Sequence, residues 1–341
     1  MKSLILLSLS TFLLCGNVCA REKTDIIMLV NGDRITGEIR QLQHNRLSVK
    51  TDSMGEVSIE WDKIENIESK YEFQFDAADG RRFSGKIEVS PEQKAITLRN
   101  EQETLTLQYA DVVRIAQAEE KFLDRLKGSF SLGYNFTKAS KVAQGNLAFQ
   151  LSHQTEKRAI SLSGSTIVTD DQSNEKTERT DLRAQMNRYI GKRWFAAYLL
   201  GFEKNDELGL KLRSSVGVGL GRYLIQNNVS EFAVLGGLLA SRASLANDHG
   251  SEDSLEGLLG TQYSRYIFDD PTVDINVRLT FFPGITEPGH NRSQLDIDLR
   301  WEVFKDLFWQ LSYYNTYDSA PQSGSITTGD YGVVTSLGWS F

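Results

Sequence analysis

Asp330-Tyr331-Gly332-Val333-Val334-Thr335-Ser336-Leu337-Gly338-Trp339-Ser340-Phe341 ends the chain. Tyr331, Val333, Leu337, Trp339 and Phe341 share one parity, and mostly small or polar residues share the other. Such alternation describes a strand with one apolar and one polar face. The same rhythm runs back from this segment to Ser129. Its apolar sets include Leu307, Trp309, Leu311 and Tyr313, then Leu295, Ile297, Leu299, Trp301 and Val303, then Val273, Ile275, Val277, Leu279 and Phe281. Further back lie Trp194, Ala196, Tyr198, Leu200 and Phe202, and nearest Ser129 lie Phe130, Leu132, Tyr134 and Phe136. Twelve such segments fill residues 129–341, and the eighth, around Leu255 to Tyr263, alternates least cleanly.

Each segment has roughly ten residues, the length a tilted strand needs to cross a bilayer. A soluble sandwich has the same period, so the connections decide. Long links near 138–145, 170–178, 203–209, 243–253, 283–292 and 318–330 alternate with short ones near 154–157, 190–193, 226–230, 268–271 and 304–306. That asymmetry, with an even strand count, belongs to a membrane barrel with short periplasmic turns and longer outer loops. Aromatic residues gather at the segment ends, at headgroup level. The fold expected is an all-β, twelve-stranded antiparallel transmembrane β-barrel. The parity of Tyr331, Val333, Leu337, Trp339 and Phe341 resembles the C-terminal signal by which such barrels are assembled, which makes assembly machinery a partner.

The N-terminal third has another rhythm. Asn31-Gly32-Asp33-Arg34-Ile35-Thr36-Gly37-Glu38-Ile39 is repeated by Asp79-Gly80-Arg81-Arg82-Phe83-Ser84-Gly85-Lys86-Ile87, and Val57-Ser58-Ile59-Glu60-Trp61 by Leu105-Thr106-Leu107-Gln108-Tyr109. Asn31-Gly32 signals a type I′ hairpin. Gly37 and Gly85 signal a bulge or bend. Two small SH3/Sm-like barrels are expected, at 24–69 and 70–117, acting as a docking module or a spacer. Residues 118–128 read as a short helical linker closed by Gly128. At the start, Lys2, the apolar run Leu4 to Leu14 and Val18-Cys19-Ala20 read as a signal peptide cleaved after Ala20. The run falls short of the roughly 20 residues of a membrane helix. Cleavage removes both cysteines, and with them any disulfide or thiol site.

The overall plan resembles the YdiY-like family, described as salt-induced outer-membrane proteins with a domain of unknown function. The residues that carry the resemblance are Gly128-Ser-Phe-Ser-Leu-Gly-Tyr-Asn-Phe-Thr137, the closing segment above, and Leu29-Val-Asn-Gly-Asp-Arg-Ile-Thr-Gly-Glu-Ile39. The resemblance implies the outer membrane of a Gram-negative bacterium and supplies no catalytic residues.

The inward parity should be polar. Asp181, Arg183, Lys211, Arg213, Asp274, Arg278, Asp296, Asp298 and Arg300 are the candidates to line the lumen. They could select solutes in a water-filled pore or form an ion-pair network that fills the barrel. A net charge of −7 and the lack of a basic face exclude nucleic acid. An outer-membrane hydrolase needs a nucleophile and base held together. His44, in the module, His153, on the outward parity, and the loop residues His249 and His290 show no such pattern. No metal or cofactor is expected. The acidic outer loops (Asp170-Asp171, Glu175, Glu178, Asp206-Glu207, Asp248, Glu252-Asp253) could attract Ca²⁺, but read more simply as solvated charge facing lipopolysaccharide. The functions left are a small-solute or ion channel, or a non-conducting stress-linked envelope protein whose residues 24–118 hold a periplasmic partner.

Overall fold

A computed structural model describes residues 22–88, 94–118, 126–137, 142–171, 176–245, 251–267, 272–304, 306–320 and 328–341. The expected signal peptide lies outside them. The first ten strands are β1 Asp25–Leu29, β2 Arg34–Gln43, β3 Arg46–Lys50, β4 Glu56–Glu60, β5 Ile64–Glu68, β6 Glu72–Ala77, β7 Arg82–Glu88, β8 Ala95–Arg99, β9 Thr104–Gln108 and β10 Val112–Gln117. β1 to β4 form a meander, a 3-10 turn follows at Trp61–Lys63, and β5 returns to pair with β1. β6 to β9 repeat the meander, and after a turn at Tyr109–Asp111, β10 returns to β6. β10 also pairs with β2, so the repeats share one ten-stranded sheet rather than closing separately.

Each repeat opens on the same hairpin. The Leu29 N–H donates to the Asp33 carbonyl, and the Ala77 N–H to the Arg81 carbonyl, both at 2.9 Å. The loops 30–32 and 78–80 therefore end on glycines at φ +88° (Gly32) and +84° (Gly80). This is not the two-residue type I′ turn expected at Asn31-Gly32, which needs positive φ at both positions. Gly37 stands where β2 passes from pairing with β1 to pairing with β3, the bend its position suggested. The module has a dry core: Ile27, Ile39, Leu42, Leu47, Val49, Phe73, Phe75 and Ile115 are wholly buried. Trp61 and Tyr109, equivalent in the two repeats, stack at 4.7 Å, and the indole N–H donates to the Tyr109 carbonyl at 2.7 Å.

The barrel follows as β11 Leu126–Thr137, β12 Val142–Gln154, β13 Arg158–Asp171, β14 Thr177–Tyr189, β15 Trp194–Asn205, β16 Leu210–Gln226, β17 Ser230–Leu245, β18 Ser251–Ile267, β19 Val273–Pro283, β20 Asn291–Phe304, β21 Leu307–Asp318 and β22 Gly329–Ser340. All twelve form one closed antiparallel ring. The seam between β11 and β22 runs from Ser129↔Ser340 to Leu132↔Leu337 and is extended by two 2.9 Å bonds between Gly128 and Phe341. Two expectations are corrected here. The helical linker does not extend to Gly128: Leu126, Lys127 and Gly128 already belong to β11, and residues 119–125 lie outside the described residues. The strands also outrun a bilayer crossing, reaching 17 residues in β16. Backbone pairing therefore takes up part of the long connections, for example leaving only 206–209 between β15 and β16.

Candidate functional site: the barrel lumen

Alternation sorts each barrel strand into two faces. Outward stand large apolar side chains in the open, among them Leu132, Tyr134, Trp194, Leu220, Trp339 and Phe341. Inward stand charges, and they meet across the lumen. β14 and β20 lie at opposite points of the ring. Arg183 on β14 nevertheless reaches Asp296 (3.3 Å) and Gln294 (3.3 Å) on β20, while also holding Asp181 at 3.1 Å. Toward the far mouth, away from the termini, Arg179 donates to Asp330 on β22 and Thr316 on β21, both at 3.0 Å, and lies over the Tyr314 ring. Arg213 spans Glu203 (3.3 Å) and Asp318 (3.6 Å). Arg292 grips Glu256 with two bonds of 2.7 and 2.5 Å, in a nearly dry setting. A guanidinium fork matches a carboxylate in this way, and such pairs are the strong ones. His290, in the connection after β19, bridges Glu287 (2.8 Å) and Asp318 (2.6 Å). Burial works against its charged form, but the hydrogen bond to Glu287 and the charge of Asp318 raise its pKa.

The near mouth meets the N-terminal module. The β2–β3 turn presents His44, whose ring stacks on Tyr266 of β18 at 3.5 Å, and Gln43 accepts from Lys127 of β11. The module's Asp76 pairs with Arg114 (2.9 Å) and accepts from Gln154 of β12 (3.3 Å). Arg82 lies 3.4 Å over the Tyr189 ring. Arg193, in the β14–β15 turn, donates to the Ala78 carbonyl at 2.7 Å. Gly80 closes that loop so near Lys192 that a Cβ would overlap its carbonyl oxygen. Between this floor and a ceiling of Asp181, Arg183, Glu203 and Arg292 lies a chamber of about 900 Å³. One side of its wall is apolar. Leu239, Leu258 and Phe282 are buried together, with Leu199 and Leu235 packed against them.

The family model described as "Protein of unknown function, DUF481" matches residues 130–341. The chain belongs to the DUF481 family. The match agrees with the resemblance carried by the barrel's ends. No curated protein matches the chain. Among solved structures, a NanC porin is similar at 10% identity and TM-score 0.39, over 63% of this chain and 98% of that one. The translocator domain of autotransporter NalP from Neisseria meningitidis is similar at 13% and 0.35, over 63% and 86%. The β domain of the Bordetella autotransporter BrkA is similar at 12% and 0.33, over 63% and 97%.

In this DUF481 barrel the candidates are not all alike. Asp181, Arg183, Arg213 and Asp296 join the network above, and Asp298 accepts from Gln310 (3.0 Å) and Ser312 (2.5 Å). Asp274, Arg278 and Arg300 line the chamber, Arg300 resting 3.7 Å over the Phe308 ring. Lys211 does not line the lumen. A register shift between Leu210 and Leu212 makes it the bulged residue, exposed, and turns Leu210 into a buried position. His153, which the outward parity would expose, is buried. In the acidic loops Lys204 holds Glu178 (2.8 Å) and Asp206 (3.7 Å), and Arg242 holds Asp253 (2.6 Å). Glu175, Asp248 and His249 lie outside the described residues. The sequence reading omitted Arg179, Glu203, Glu256, Arg292, Asp318 and Asp330. Parity could have found Arg179 and Arg292, which continue the rows of Asp181 and Asp296. The apolar wall was missed because inward was equated with polar.

Proposed function

We propose that the chain is an outer-membrane β-barrel conduit for ions or small solutes, shut in the state seen here. The observation that carries this reading is the Arg183–Asp296 contact between opposite strands, within a charged layer that crosses the lumen. The outward apolar belt and the closed ring support a membrane setting. The short connections then lie in the periplasm with the module, reached by export and cleavage after Ala20. The repeats' order of meander, 3-10 turn and returning strand supports reading each as SH3/Sm-like. Assembly machinery and lipopolysaccharide are the proposed partners, and no enzymatic step is proposed.

Planar-bilayer recording of the full chain tests the reading. Wild type should be silent or nearly so, and Arg183→Ala with Asp296→Ala should conduct. A large steady conductance from wild type overturns the shut state. Silence from both, at all voltages, leaves the second reading, a non-conducting envelope anchor. That alternative draws on β4 and β9, which end the module's sheet and offer strand edges to a periplasmic partner. A link to salt stress rests on the family resemblance and is tested by comparing growth of a deletion strain at high and low salt.

A further inference from the structure

We propose that the chamber binds a small amphipathic anion, a single carboxylate on an apolar body. This goes beyond conduction: a site of this kind can work in a barrel that never opens. The charged end belongs at Arg278. Its guanidinium faces the chamber and makes no hydrogen bond or ion pair among the described residues, while Arg179, Arg183, Arg213 and Arg292 are all engaged by carboxylates. Neither neighbouring acid forms an ion pair with Arg278: Asp296 pairs with Arg183, and Asp298 accepts from the neutral Gln310 and Ser312. The apolar end belongs at Phe282, which shares the inward parity of β19 with Arg278 and lies about 13 Å along the strand at its usual rise. There Leu239, Leu258 and Phe282 form a buried apolar patch of the wall, and Leu199 and Leu235 stand half-buried beside them at the chamber.

The two ends ask for different chemistry. A guanidinium takes a carboxylate through two parallel N–H···O bonds. The leucine wall gains only from apolar surface withdrawn from water. One free guanidinium matches one negative charge. A dianion fits less well, because Asp181, Glu203, Glu231 and Asp274 also line the space. At about 900 Å³ the chamber is of ordinary size for a small-molecule site.

The test uses the full chain in lipid nanodiscs, with carboxyl-labelled octanoate as probe, followed by NMR at neutral pH and compared with empty discs. Octanoate should bind saturably. Acetate, lacking the body, and octanol, lacking the charge, should bind far more weakly. Arg278→Gln should weaken octanoate roughly tenfold or more. Leu199→Asn, at the other end, should also weaken it, and provides a second variant should R278Q fail to fold. Octanoate signal no greater than in empty discs overturns the site, as does equal binding by folded R278Q and wild type. Acetate binding as tightly as octanoate overturns the amphipathic class. Because binding is read without current, its failure is distinguishable from failure of the conduit reading.

Discussion

The module and the barrel are both antiparallel β structures built from the same alternation, yet they are inside out relative to each other. In the module Phe73 and Phe75 are wholly buried. In the barrel Leu220 and Trp339 stand outward and Arg292 is buried. The strand pattern is thus indifferent to which face is the interior. What decides is the surroundings, and the hydrophobic effect places apolar surface wherever water is not. The most informative substitutions are those that exchange the logic of one region for that of the other.

The largest effect is expected from emptying the module's core. Phe75→Ala should cost about 4 kcal/mol, the range for a buried aromatic, measured by urea unfolding followed by module tryptophan fluorescence. Heat-modifiable migration of the barrel should persist. Should the barrel fail as well, the two regions form one folding unit and the contrast collapses. Next comes the barrel's own interior. Glu256→Leu leaves Arg292 buried without its bidentate partner, a loss of about 3 kcal/mol. The double variant with Arg292→Met should recover most of that, because an apolar pair can replace a buried ion pair. If the double variant is worse than the single, the inner layer serves more than charge compensation. Somewhat smaller is a charge on the outer face: Val218→Arg, mid-strand in β16, should cost about 2–3 kcal/mol in bilayers, as at a barrel's midplane. The same substitution on an exposed module strand, such as Ser58→Arg in β4, should be close to neutral.

Much of this architecture was legible in the sequence. The parity of Phe130 to Phe341 is long-range and redundant, so the twelve strands and their closure could be read. The internal repeat exposed the module's two halves. What could not be read lies where parity breaks or where partners are distant in sequence. Lys211 was misplaced because a bulge changes parity locally and leaves no mark in the residue types. Arg183 and Asp296 could be assigned to the lumen separately, but their contact across the diameter depends on ring size and shear. The docking of His44 on Tyr266 depends on how two surfaces far apart in sequence meet. No periodicity encodes that.

The smallest expected effect, and the sharpest for the contrast, is an opposite response of the two mouths to pH. At the near mouth His44 sits among Lys127, Arg300 and Tyr266. Burial first, and then the charges of Lys127 and Arg300, lower its pKa to about 3. Docked, it is neutral. Undocked, it would titrate near the ordinary value of about 6.5. Docking is therefore fully stable above that value and weakens as pH falls, by about 1.4 kcal/mol at pH 5.5. His290 at the far mouth has the opposite sign. Its raised pKa means that its contribution is complete below the ordinary histidine value and is lost as pH rises through the folded-state value. Hydrogen exchange at residues 43–46 should rise from pH 7.5 to 5.5, and at 286–290 from pH 5.5 to 8.5, after correction for intrinsic rates. His44→Gln should abolish the first response and leave the second. If both mouths loosen in the same direction, the pH response comes from the fold as a whole, and the two histidines are not the groups that set it.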